Sequence, residues 1–164
     1  MTSKASMAPV GAADARLLLL GSLPGDASLT AQRYYAHPTN QFWRLLGVAL
    51  GEELALLDYD SRLVRLAARG VALWDVVERA ERTGSLDGAI RQVTANALAE
   101  YAATHLRLAA IGFNGQTAAR LGRRALGETA PRMIDLPSSS AAFTMAFADK
   151  SERWQVLAGF ADPA

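Results

Sequence analysis

The chain has 164 residues, 51% hydrophobic and 20% charged, enough apolar material for one compact domain with a buried core. Cysteine is absent, which excludes disulfides, thiol nucleophiles and cysteine-held zinc or iron–sulfur centres. A net charge of +1 argues neither for nor against a polyanionic partner, because the whole-chain sum conceals local patches.

Residues 1–14 are rich in Ala, Ser and Gly but lack the charged start and apolar run of a secretory leader, and the four leucines at 17–20 are too few to cross a bilayer. The expectation is a flexible start followed by a single domain over 15–164, in a monomeric cytoplasmic protein without a membrane partner. Short apolar segments at Arg16–Gly21, Gly70–Trp74, Leu106–Gly112 and Arg132–Leu136 predict buried strands. Helical spacing covers Gln41–Leu50, Asp60–Ala68, Leu86–Tyr101, Gln116–Leu126 and Asp149–Phe160. Alternating strands and helices imply right-handed crossovers. The fold class is therefore α/β: three layers, α/β/α, around a central four-stranded, mainly parallel sheet.

In such folds ligands sit beyond the carboxyl ends of the strands. The loops there read GSLPGDASL (21–29), WDVVERAERTGSL (74–86), GFNGQTA (112–118) and LPSSSAAF (136–143). No G-x-x-x-x-G-K-[ST] or G-x-G-x-x-G follows a strand, so a mononucleotide-binding α/β protein has no motif behind it. All but Lys4 and Lys150 of the 17 basic residues are arginine, which suits bidentate phosphate contacts and equally a GC-rich codon usage.

Two of these loops, with the segment at 34–43, carry a family signature. Gly21-Ser22-Leu23-Pro24-Gly25 and His37-Pro38-Thr39-Asn40-Gln41-Phe42-Trp43 resemble the first motif of the mismatch-specific uracil and thymine glycosylases, a strand running into G-x-N-P-G and then H-P-x-N-x-F-W. Pro137-Ser138-Ser139-Ser140-Ala141 resembles their last motif, and Gly70–Arg79 and Gly115–Ala118 fall between them in the family's order. Over about residues 16–160 the chain thus resembles the uracil-DNA glycosylase superfamily. That resemblance implies a uracil-DNA glycosylase-like fold, DNA containing a deaminated base as partner, and hydrolysis of an N-glycosidic bond without a cofactor.

The third residue of the first motif, which in the mismatch-specific branch is the asparagine that positions the attacking water, is Leu23 here. The hypoxanthine-DNA glycosylase branch is similar in having an apolar residue there, a G-S-x-P-G motif and a YYAHPxNxFW segment whose asparagine maps onto Asn40. The resemblance therefore implies hypoxanthine as the leading base, with uracil second, and Asn40 as the catalytic residue. Leu23 also keeps open a non-catalytic DNA-damage-binding protein of the same fold.

A glycosylase extrudes a nucleotide, recognises the base and breaks the C1′–N bond through an oxocarbenium-like state. Asn40 suits water positioning, since it can accept and donate, and it equally suits capping the helix that QFWRLL begins. Ser22 is a second candidate for positioning water or binding phosphate, or else a turn hydroxyl. Tyr35 corresponds to the aromatic platform on which the base stacks in the mismatch-specific branch, with a core tyrosine beside Phe42 and Trp43 as the alternative, and Leu23 borders the same place. Asp75 and Asn114, at strand ends, are candidates for reading the base edge, with turn roles as the alternative. Pro24, Gly25 and His37, with Ser138, Ser139 and Ser140 as a phosphate grip, are candidate DNA contacts. Phe143 stands beside Ala142, where thymine-removing relatives carry a gap-filling arginine, and is a candidate apolar wedge or, equally, a buried loop anchor. Two histidines give no metal-site spacing, so no metal is expected. No lysine is expected near the motifs to form a Schiff base, so hydrolysis rather than strand cleavage is expected.

Overall fold

A computed structural model of the chain describes residues 2–128 and 131–164. Its strands are β1 (Thr2–Ala5), β2 (Val10–Gly11), β3 (Leu17–Gly21), β4 (Val71–Asp75), β5 (Val77–Arg82), β6 (Arg91–Ala95), β7 (Ala110–Asn114) and β8 (Arg132–Leu136). Its helices are α1 (Asp26–Ala31), α2 (Phe42–Leu50), α3 (Tyr59–Ala68), α4 (Leu98–Ala103), α5 (Gln116–Leu126) and α6 (Phe147–Trp154), the last continuing as a 3-10 turn over Gln155–Phe160.

The main sheet has the order β2-β4-β3-β7-β8. Its four anticipated strands pair in parallel, and the two-residue β2 joins antiparallel at the β4 edge. Successive strand residues face opposite sides, so a strand covered on both faces is apolar throughout. Leu17, Leu19, Val71 and Leu73 pack with Phe42, Leu45, Leu46, Leu66 and Trp154 on one side. Leu18, Leu20, Ala72, Ile111 and Phe113 meet Leu98, Ala118 and Leu126 on the other. The result is the expected α/β/α sandwich. Among the described residues no helix is long and apolar enough to cross a membrane.

Three stretches depart from the sequence expectation. Leu86–Tyr101 is not one helix: it holds a 3-10 turn at Asp87–Ala89, strand β6 and only then α4. Gln92 has a φ of 51°, which no helix accommodates, and β6 is fully exposed. A strand without a buried face leaves no apolar period in sequence, because backbone pairing to β5 holds it. β1 adds to the other side of β5, making a second antiparallel sheet in the order β1-β5-β6. Both β1 and β2 come from the segment expected to be flexible, and the Met7 carbonyl between them accepts the Trp74 indole N–H at 2.9 Å. Finally, β7 begins at Ala110 rather than Leu106, because the apolar Leu106 points into solvent.

Candidate active site

The parallel strands end together. Gly21 lies opposite Asp75 and Asn114 opposite Leu136 in register, and the loops beyond them enclose a cleft of about 960 Å³. Every candidate residue named from the sequence borders this cleft.

Asn40 is the point where three loops are tied. Its Oδ1 accepts the Phe42 backbone N–H at 2.9 Å and the Ser139 hydroxyl at 2.8 Å. Ser139 Oγ in turn accepts from Asn114 Nδ2 at 2.8 Å, and the Ser139 N–H donates to Asn114 Oδ1 at 2.9 Å. A backbone N–H can only donate, so the carbonyl of Asn40 must face Phe42, and its two lone pairs are both in use. What Asn40 offers the cleft is its amide N–H₂, which has no partner among the described residues.

The loop carrying Ser139 is pinned from behind. Lys150 is buried, and its ammonium donates to Gln41 Oε1 at 2.9 Å and to the Ser140 carbonyl at 3.1 Å. Burial lowers its pKa. The expectation that no lysine stands near the motifs is therefore corrected: chain separation concealed one, although its amine is committed to these two oxygens and lies outside the cleft lining.

At the centre, Tyr35 stacks on Phe42 with ring centroids 3.8 Å apart and planes 11° from parallel. Its φ of 55° is left-handed, a strained backbone for a tyrosine that points to an imposed position. Its hydroxyl sits over Gly21 beside Asp75: a Cβ on Gly21 would stand 2.7 Å from Asp75 Oδ1 and 2.8 Å from Tyr35 Oη. Only glycine leaves room for both groups. Burial first and the Asp75 charge second raise the Tyr35 pKa, while a hydrogen bond from Asn114 opposes the rise.

Asp75 is 3% exposed, and its Oδ2 has no hydrogen-bond partner. Its pKa is raised to about 7, by burial first and by Asp87 second, with Arg82 opposing. Near neutral pH it therefore exists in both forms, able to accept as the carboxylate or donate as the acid.

The hairpin of β5 and β6 closes the cleft on the β4 side. Arg82, fully buried on β5, donates to the carbonyls of Leu23, Pro24 and Gly84. These bonds shape the turn of the first motif from beneath. The Leu23 side chain packs with Val77, Ala80 and Ile90 into a small apolar cluster under the hairpin. Ser22 Oγ donates to Asp87 Oδ1 at 2.6 Å, and Arg82 Nη1 stands 3.8 Å from the same oxygen.

Residues 8–158 match the model of the family described as the uracil DNA glycosylase superfamily. The chain belongs to that superfamily. A Methanosarcina barkeri protein named hypoxanthine DNA glycosylase is 39% identical over 69% of this chain and 72% of its own. A protein of the same name from Methanosarcina acetivorans is 35% identical over 86% of this chain and 89% of its own. The solution NMR structure of a candidate uracil DNA glycosylase from Methanosarcina acetivorans superposes with a TM-score of 0.83 at 33% identity, covering 95% of this chain and 96% of that one.

For a member of the uracil DNA glycosylase superfamily, several expected roles change once atoms are placed. Ser139 was expected to grip phosphate, but it is buried and its hydroxyl is engaged at both ends, so it braces Asn40 instead. Ser138 and Ser140 remain on the cleft wall, their oxygens accepting the N–H groups of Ser140 and Ala142 and their own protons unassigned to any neighbour. His37 is exposed and turns its Nδ1 toward Thr39. Phe143 is 40% exposed on the rim, with the Lys150 ammonium 5.4 Å from its ring centre. Among the described residues no three His, Asp or Glu side chains gather as a metal site. Sequence reasoning missed Arg82, Asp87 and Lys150. The T-G-S at 83–85 between two short polar runs is the hairpin signal that could have revealed the first two.

Proposed function

We propose that this protein is a monofunctional DNA glycosylase of base excision repair, hydrolysing the N-glycosidic bond of deoxyinosine first and of deoxyuridine second. The observation that carries the reading is the hydrogen-bonded run Asn114–Ser139–Asn40, which fixes a free amide at the mouth of a strand-end cleft. Two relatives named hypoxanthine DNA glycosylase at 35–39% identity support the choice of base.

An extruded base stacks on the face of Tyr35 turned away from Phe42, an interaction worth roughly 1–3 kcal/mol. Asp75 and Asn114 meet the base edge. Asp75 borders the cleft and accepts from N1–H of hypoxanthine or N3–H of uracil as the carboxylate. Ser138, Ser140 and the Pro24–Gly25 turn hold the flanking phosphates, and Phe143 fills the vacated stack. Asn40 donates its amide to the attacking water. The working unit is a single domain that takes in β1 and β2 as well as 15–164, acting as a monomer on DNA in the cytoplasm.

Purified protein incubated with duplexes bearing one deoxyinosine or one deoxyuridine, then treated with alkali, reads out abasic sites. Cleavage after alkali alone, faster for deoxyinosine, is the expected result. Tight lesion binding without abasic sites would instead assign a non-catalytic damage-recognition role, the reading that Leu23 keeps in view. Strand breaks before alkali would implicate Lys150 and sink the monofunctional assignment.

A further inference from the structure

With Leu23 in the first motif and both lone pairs of Asn40 Oδ1 occupied, neither motif residue can take a proton from water. Asp75 is unsuited as well, because its partnerless oxygen is inaccessible to solvent. Of the other two carboxylates on the cleft wall, Asp135 is ion-paired to Arg123 at 2.8 Å and well exposed to solvent, which leaves Asp87. Asp87, on the 3-10 turn between β5 and β6, borders the cleft with its side chain 36% exposed. Its Oδ1 is oriented by the Ser22 hydroxyl and by Arg82. Its Oδ2 has no hydrogen-bond partner among the described residues.

We propose that Asp87 is the water-activating carboxylate of this enzyme, held in place by Ser22 and Arg82, so that the hairpin supplies what the first motif has lost. The inference rests on the glycosylase reading above. As the C1′–N9 bond of deoxyinosine lengthens, its electron pair passes to the base, and the water oxygen bonds to C1′. The water proton passes to Asp87 Oδ2 and from there, through solvent, to the departing hypoxanthine, leaving an abasic sugar and a neutral base. Before that transfer the carboxylate faces the developing oxocarbenium charge, where a fixed anion lowers the barrier.

The surroundings are consistent with a base. Burial raises the Asp87 pKa above that of a free aspartate, with the Ser22 hydrogen bond and the Arg82 charge opposing the rise, the direction that makes a carboxylate a stronger base. The other ionisable groups nearby are Asp75 at the end of β4, whose pKa Asp87 raises, and Tyr35 from the segment before α2, whose pKa Asp87 also raises. Arg91 on β6 is turned to the carbonyls of Gly88 and Ile90.

The test is single-turnover cleavage of a deoxyinosine duplex across pH by wild type, Asp87→Asn and Asp87→Ala. Asp87→Asn is expected to slow the chemical step roughly 100-fold or more while duplex affinity and melting temperature hold, and to abolish the fall in rate that wild type shows toward acid. Formate added to Asp87→Ala is expected to restore part of the rate, which a purely structural role would not allow. An active wild type whose Asp87→Asn variant keeps its rate or its acid limb overturns this inference alone. Loss of rate explained by lost folding, with no formate rescue, also overturns it. A wild type inert on both lesion duplexes overturns the glycosylase reading and this inference with it.

Discussion

Asn40 and Ser139, 99 residues apart in the chain, are joined by a 2.8 Å hydrogen bond in which the serine hydroxyl donates to the asparagine carbonyl. The same carbonyl, one residue before the N-cap Gln41, accepts the N–H of Phe42, the first residue of α2 and otherwise one of the helix's unpaired donors. Capping and site chemistry, which the sequence left as alternatives for Asn40, are thus divided between the two ends of one amide group. Asn40→Asp keeps the one acceptor oxygen that Phe42 and Ser139 use and replaces the donating N–H₂ with a second acceptor. It should fold and melt close to wild type while its single-turnover rate falls roughly 100-fold, the usual scale for losing one aimed donor. Asn40→Ala should also lose about 1–3 kcal/mol for the two hydrogen bonds to its carbonyl, measurable by urea unfolding.

Asp75 makes stability depend on pH in an unusual direction. Its folded pKa, about 7, lies above the ordinary carboxylate value, so between those two values the folded state binds more protons than the unfolded state. Stability is therefore full below the unfolded pKa and declines as pH rises through the folded one. Urea midpoints should drop between pH 4 and pH 8, and Asp75→Asn should flatten that decline. Its total cannot exceed roughly 4 kcal/mol on the linkage scale. A wild type whose Asp75-dependent stability rises over this range would refute the assignment.

Tyr35 separates stacking from hydrogen bonding. Tyr35→Phe retains the ring against Phe42 and should bind a lesion duplex within a few-fold of wild type. Tyr35→Ala should weaken lesion binding by about 1–3 kcal/mol, leaving binding to undamaged duplex unchanged in a titration of both DNAs.

Gly21 is confined by its neighbours rather than by its own torsions. Gly21→Ala would press a methyl group to 2.7 Å from Asp75 Oδ1 and 2.8 Å from Tyr35 Oη, so both side chains must shift. The expected outcome is a destabilisation of about 1–3 kcal/mol with a loss of turnover larger than that cost explains.

Arg82 holds three carbonyls from within the protein. Arg82→Met keeps most of the volume and strands those acceptors, so the first-motif turn and the hairpin should loosen together. Hydrogen exchange should speed up over residues 22–26 and 77–95 and stay unchanged in α5.

The strands that carry the site were legible in the sequence because a strand buried on both faces must be apolar along its whole length, as Leu17–Leu20 and Val71–Leu73 are. The motif residues were legible because the four strand ends share one edge, which brings Gly21, Asp75, Asn114 and Pro137 together wherever those strands pair in parallel. The hairpin was not legible: β6 has no buried face, and the residues that oppose it lie in β5. Nor could sequence assign the two ends of the Asn40 amide, since the donor that claims its second lone pair arrives from Ser139 across the fold. Sequence by itself determined the layer architecture and the edge where function gathers, because both follow from local apolar pattern and chain order. Tertiary structure alone decided that the Asn40 carbonyl is spent, that Arg82 and Lys150 brace the loops, and that Asp87 faces the cleft, because each depends on a contact between segments distant in the chain.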